Sequence, residues 1–132
     1  MSYRVLIVDD SAVVRHMVSR ALSISGIETS SVLEAGNGQE ALDILRKTWV
    51  DIVFADINMP VMTGAELLET MAREGMLATT PVVIVSSEHG EKRAQEMKQM
   101  GARAYLVKPF RPEAIKQVCG EILRPGKETP HE

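Results

Sequence analysis

The chain has a single cysteine, Cys119, among its 132 residues. No internal disulfide can hold it, and a reducing compartment is expected. It has no apolar stretch near the ~20 residues that a membrane-spanning helix needs. Charge of one sign is also missing: a formal net charge of −3 leaves no electrostatic footprint for nucleic acid or an anionic membrane surface. The opening Met-Ser-Tyr-Arg runs directly into a strand pattern, with no room for a signal peptide. These absences lead to the expectation of a cytoplasmic protein that binds neither DNA nor membrane. What is present is an ordinary globular composition, 45% hydrophobic and 25% charged, in a chain long enough for one unstapled core. Residues 1–123 are expected to form one folded domain. The polar segment Arg124 to Glu132 (RPGKETPHE), with two prolines, is expected to be a loose tail too short for an output domain.

Strand and helix patterns alternate five times. Arg4 to Val8 (RVLIV) reads as a strand buried on both faces. Ser11 to Ile24 follows as a helix with the stripe Val14, Met17, Val18, Ala21 and Leu22, and Gly26 suits the position past its end. Thr29 to Ala35 is the most polar strand, which fits a sheet edge, and Asn37 with Glu40 resembles a capped helix start. Asp51 to Ala55 is the third strand. Thr63-Gly-Ala-Glu66 is a capping-box match that opens a helix with the stripe Leu67, Leu68, Met71 and Ala72. Pro81 to Val85 is the fourth strand, and Glu91 to Met100 a weakly apolar helix with Met97 and Met100 as core filling. Ala104 to Val107 is the fifth strand. Pro112 then opens a final helix with Ile115, Val118, Cys119 and Ile122 inward. Trp49 is expected to be a packing residue far from any site, and His16 and His89 to be surface groups.

Parallel strands joined by right-handed crossovers require helices on both faces. The expected fold is therefore α/β, flavodoxin-like, a (βα)5 three-layer sandwich with strand order 2-1-3-4-5. Ligands in such folds bind at the carboxyl ends of the strands, at the switch point between strands one and three. Four of the five strands end there in a reactive group: Asp9 and Asp10, Asp56, Ser86, and Lys108. Three carboxylates within ~5 Å repel by roughly 3 kcal/mol per pair at an effective dielectric of 20, so the cluster calls for a cation. All-oxygen ligands at a wet site suit Mg²⁺, and the lack of His or Cys in the cluster argues against zinc. Lys108 and Ser86 add a positive charge and a hydroxyl, a complement to a phosphoryl group. Asp56, alone at the end of the central strand, is the candidate nucleophile.

The segments IVDDS (Ile7 to Ser11), DINMPVMTG (Asp56 to Gly64), VIVSSE (Val83 to Glu88) and YLVKPF (Tyr105 to Phe110) together resemble the CheY-like receiver domain of bacterial two-component response regulators. The resemblance covers about residues 4 to 123. It implies a stand-alone phosphorylation switch with only weak self-phosphorylation and autodephosphorylation, not an enzyme in the usual sense. By the same resemblance Asp9, Asp10, Asp56 and the backbone carbonyl of Asn58 hold Mg²⁺. Asp56 takes the phosphoryl group of a sensor histidine kinase or phosphotransfer protein. Ser86 hydrogen-bonds that group and Lys108 pairs with it, placed by a cis bond to Pro109. Ser86 and Tyr105 are the switch pair that remodels the face of helix four, strand five and helix five for an output protein or phosphatase. Asn58 and Glu88 match the pair that tunes dephosphorylation in CheY. A monomer is expected. The presumed output face carries Glu91, Ala94, Lys98 and Val118, unlike the CheY surface that meets the flagellar switch, so chemotaxis is one pathway among several.

Three other functions share this fold or chemistry. A Mg²⁺-dependent aspartyl-phosphate phosphohydrolase would place a second acid two residues after the nucleophile, where this chain has Asn58. A flavodoxin-like carrier would need a phosphate-cradling loop after strand one, where Asp9 and Asp10 would repel a flavin phosphate. A binding module independent of phosphorylation would have no use for the intact site.

Overall fold

A computed structural model describes residues 2–123; the expected tail lies outside these residues. Its elements are β1 (Tyr3–Val8), α1 (Ala12–Ile24), β2 (Thr29–Ala35), α2 (Gly38–Leu45), β3 (Ile52–Ala55) and α3 (Gly64–Arg73). A short 3₁₀ turn (Met76–Ala78) follows, then β4 (Val82–Ser86), α4 (Glu91–Gln99), β5 (Ala104–Val107) and α5 (Pro112–Ile122). All strand pairs are parallel, in the order β2-β1-β3-β4-β5. The fold is the flavodoxin-like (βα)5 sandwich expected from the alternation.

Each central strand buries both faces, and successive side chains go to opposite layers. Val5, Ile7, Ile52, Phe54, Val83 and Val85 meet Val18, Ala21 and Leu22 of α1 and Ile115 and Cys119 of α5. Leu6, Val8, Val53, Ala55, Val82 and Ile84 meet Ala41 and Leu42 of α2, Leu67, Leu68 and Met71 of α3, and Met97 of α4. A fully buried leucine such as Leu67 or Leu68 stabilises the fold by roughly 2 kcal/mol. Cys119 sits in the core as expected, and burial pushes its thiol up to about 11. Polar β2 lies at one edge of the sheet.

The helix starts follow their caps. The Ser11 side chain accepts from Val14 N, and Thr63 with Glu66 forms the full capping box. At α2 the box is altered. Asn37 accepts from Glu40 N as expected, but the Glu40 carboxylate takes the amide of Gly36. Several expectations are corrected. Met17 is 51% exposed and Ala72 is also exposed, because each lies about a quarter turn from the centre of its helix's buried arc. Asp51 precedes β3, its carboxylate accepting from the Arg4 amide and the Trp49 indole. Trp49 is 41% exposed and lies outside the two core clusters. Met97 is buried, whereas Met100 is only partly so.

Candidate functional site

Register brings the reactive groups to one edge. Val8 pairs with Ala55, so β1 and β3 end level, and Ser86 pairs with Val107. The ladders continue one residue further: Asp56 N donates to Val8 O at 3.0 Å, and Lys108 N to Ser86 O at 2.7 Å. Asp9, Asp56, Ser86 and Lys108 are thus carried on or immediately past rigid strands, where their backbones are fixed.

Carboxylate oxygens of Asp9, Asp10 and Asp56 all lie within 4.8 Å of one another. Asp9 is buried and Asp10 exposed. The Asp56 side chain is 12% exposed, at the floor of an open site. Lys108 Nζ donates to Asp9 Oδ2 at 3.1 Å and stands 3.7 Å from Asp56 Oδ2. The other oxygens are held by backbone: Asp9 Oδ1 accepts from Ser11 N, and Asp56 Oδ1 from Ile57 N at 2.7 Å. The Lys108–Pro109 bond is cis. Burial pushes the Asp56 carboxyl above the ordinary aspartate range; Lys108 opposes that shift and the charge of Asp9 adds to it.

Three carboxylates against one ammonium leave two negative charges unbalanced. A hard divalent cation with oxygen ligands fits that donor set, and a site open to solvent suits an ion that retains waters. Asp9, Asp10 and Asp56 can supply the carboxylate ligands.

Around this floor stands a second set of groups, centred on Glu88. Its backbone N–H donates to the fully buried Ser86 Oγ at 3.1 Å, and its carbonyl accepts from the Tyr105 hydroxyl at 2.9 Å. Its Oε2 accepts from Asn58 Nδ2 at 2.9 Å. The structure therefore joins Asn58 to Glu88 and Ser86 to Tyr105 through one loop residue. His16 and His89 are exposed, as expected.

Four residues near the site carry roles that the sequence reading did not give them. Arg15 Nη1 donates to the Asp9 carbonyl at 2.6 Å while its Nε pairs with Glu34. Arg93 approaches Glu88 from α4. Val61 has φ 67°, with Met62 N donating to Pro60 O across it, the pattern of a γ-turn. Gly64 opens α3 directly against the Asp56–Ile57 backbone, where any Cβ would overlap the Asp56 carbonyl oxygen. A glycine at the first position of a helix was a legible signal for the last of these. The two arginines gave none, since side-chain reach across elements has no local pattern.

The sequence matches the response regulator receiver domain over residues 5–119. A chemotaxis protein CheY homolog of Campylobacter jejuni is 34% identical over 124 residues, covering 93% of this chain and 94% of the relative. The structure of the chemotaxis response regulator CheY4 of Vibrio cholerae superposes with a TM-score of 0.80 at 37% identity, over 92% of this chain and 99% of CheY4. A chain of the CheX–CheY–BeF3–Mg²⁺ complex of Borrelia burgdorferi is similar at 26% identity and a TM-score of 0.79, over 92% of this chain and 89% of that one. With the fold, the acidic cluster and a family match over most of its length in agreement, the chain belongs to the response regulator receiver domain family, in its CheY-like form.

Proposed function

We propose that this receiver works as a phosphorylation-controlled binding switch in which Asp56 is the phosphoacceptor. The observation that carries the reading is the placement of one ammonium, Lys108, against two of three clustered carboxylates, Asp9 and Asp56. The donor is a phosphohistidine on a sensor histidine kinase or phosphotransfer protein, which puts the chain with it in the cytoplasm. An Asp56 carboxylate oxygen attacks phosphorus, the P–N bond to the donor imidazole breaks, and the imidazole keeps the electron pair. Lys108 balances charge on the phosphoryl oxygens, and the Ser86 hydroxyl turns to hydrogen-bond one of them. Asp9, Asp10, Asp56 and the Asn58 carbonyl would hold Mg²⁺, which when bound supplies positive charge to the transferring group.

Slow autodephosphorylation ends the modified state by a different step: water attacks phosphorus, the P–O bond to Asp56 breaks with its electron pair on the carboxylate, and inorganic phosphate leaves with the proton of the water passing to solvent. Asn58, two residues past Asp56, and Glu88, hydrogen-bonded to Asn58, tune that rate. The amide at residue 58, where a hydrolase would need its second acid, speaks against the phosphohydrolase alternative. Movement of Ser86 and Tyr105 then alters the α4–β5–α5 face for an output protein or phosphatase. CheX, the partner in the Borrelia complex, is one example of such a protein. We take the switching unit to be residues 1–123 and monomeric. The test is labelling with acetyl phosphate and Mg²⁺. The parent is expected to take up the phosphoryl group and Asp56→Asn none; equal labelling of the two would overturn the assignment.

A further inference from the structure

Arg93, on the first turn of α4, reaches back to the loop that carries Glu88. Its Nε stands 3.4 Å from Glu88 Oε1, and its Nη1 donates to Glu96 Oε1 at 3.1 Å, one turn along the same helix. Nε is also the one buried side-chain nitrogen or oxygen, among the described residues, without a hydrogen-bond partner. Its contact with Glu88 is thus an ion pair that falls short of hydrogen-bond geometry. An unpaired, buried N–H of a guanidinium whose side chain is 33% exposed gains from any motion that brings the carboxylate closer.

Glu88 cannot move freely toward it. Oε2 is held by Asn58 Nδ2 at 2.9 Å, the backbone N–H by Ser86 Oγ, and the carbonyl by the Tyr105 hydroxyl. The carboxylate is therefore stretched between two elements: Asn58 on the loop after the phosphoacceptor, and Arg93 on α4. Remove either anchor and the side chain swings toward the other or into solvent. Glu88 N–H loses its acceptor when the Ser86 hydroxyl turns to a phosphoryl group, so the loop that carries this carboxylate moves with the switch.

We propose that Arg93 is a positioning residue for Glu88, fixing the carboxylate that, with Asn58, controls access of water to the phosphoryl group and so tying the lifetime of that group to α4. This rests on the phosphoacceptor reading of Asp56 and on the tuning role of Asn58 and Glu88. Arg93 touches neither Asp56 nor Lys108 among the contacts of the site, so its effect falls on phosphoryl loss through Glu88 rather than on phosphoryl uptake. Without Arg93 the carboxylate keeps one anchor and loses its orientation, and phosphoryl loss slows.

The test is a double-mutant cycle on the full chain, read as the first-order loss of label from protein phosphorylated with acetyl phosphate and Mg²⁺. Arg93→Ala is expected to slow that loss roughly fivefold, an interaction on the order of 1 kcal/mol, with the rate of label uptake unchanged. In a Glu88→Ala background the same substitution is expected to change nothing further, because its only route is gone. Arg93→Gln, which keeps the length of the stem, guards against a general effect on α4 and is expected to behave as Arg93→Ala. An equal effect of Arg93→Ala with and without Glu88, or an unchanged lifetime in both Arg93 variants, overturns this inference and leaves the phosphoacceptor reading intact. A parent protein that takes up no label overturns both.

Discussion

The hydroxyl of Tyr105 donates a hydrogen bond to the backbone carbonyl of Glu88 at 2.9 Å, closing the side of β5 onto the loop that leads into α4. Because the amide of the same residue is bound to Ser86 Oγ, a rotation of the serine toward a phosphoryl group withdraws one of the two bonds that hold the Glu88 backbone. Met97 is the one buried residue of α4, so shifting that helix costs only a few kcal/mol of apolar contact. Amide exchange measured with and without beryllofluoride, a stand-in for the phosphoryl group, is expected to change from Ser86 to Tyr105 and at the start of α5. Changes confined to the surroundings of Asp9, Asp10 and Asp56 would contradict the switch. Tyr105→Phe removes the bond to Glu88 and is expected to lower the stability of the unmodified protein by about 1 kcal/mol.

Gly64 sets how closely α3 approaches the phosphoacceptor. Its amide donates to the Ile57 carbonyl at 2.7 Å, and an added Cβ would come within 2.9 Å of the Ile57 Cα as well as overlapping the Asp56 carbonyl. Neither obstacle is a flexible side chain. Gly64→Ala is expected to destabilise the protein by about 2–3 kcal/mol in urea titration, and to weaken beryllofluoride binding by displacing Asp56. Parent-like stability would show that α3 can retreat without loss.

Val61 is a β-branched residue in the left-handed region, φ 67°, and 81% exposed. Its side chain contributes little burial, while its backbone conformation is unfavourable by about 1–2 kcal/mol for a non-glycine residue. Glycine removes that strain and loses some unfolded-state restriction in exchange. Val61→Gly is therefore expected to raise stability by up to about 1 kcal/mol, read from the urea midpoint. A lower midpoint would mean that the exposed valine makes a contact worth more than the strain.

The burial of Asp56 raises its carboxyl above the ordinary aspartate value, which for the unfolded chain is about 3.9. Between the unfolded and the folded value the folded state binds more proton. Stability of the metal-free protein therefore falls as pH rises through that interval, and stays lower above it. Asp56→Asn cannot ionise. Without Mg²⁺ it is expected to melt higher than the parent at neutral pH, with the difference shrinking as pH is lowered toward the unfolded value. Mg²⁺ is expected to raise the parent melting temperature by mass action and that of the variant much less. A parent as stable as the variant at neutral pH would contradict the penalty that burial places on the Asp56 charge.

The alternation of strand and helix, the strand order and the floor of the site were all legible from the sequence, because they rest on local signals. Both-face burial writes continuous apolar runs such as VLIV and PVVIV, and strand ends place Asp9, Asp56 and Lys108 at one edge whatever the details of packing. Positions at the margin of a helical arc were not legible. Met17 and Ala72 fit an apolar stripe, but neighbouring elements determine whether a residue a quarter turn off centre is covered. The altered cap at α2 and the departure of Asp51 from β3 share a cause. In each case a carboxylate takes a backbone amide that no local pattern marks, Gly36 for Glu40 and Arg4 for Asp51. Arg93 and Arg15 were invisible for a further reason: long side chains act at a distance fixed by tertiary structure alone.

The central claim is that Asp56, and not Asp9 or Asp10, carries the phosphoryl group. An acyl phosphate is reduced by borohydride to an alcohol, which converts the modified aspartate to homoserine and marks it permanently. Protein treated with acetyl phosphate and Mg²⁺, reduced, digested and sequenced by mass spectrometry is expected to carry homoserine at position 56 alone. Homoserine at position 9 or 10, or no conversion at any aspartate, would contradict the account.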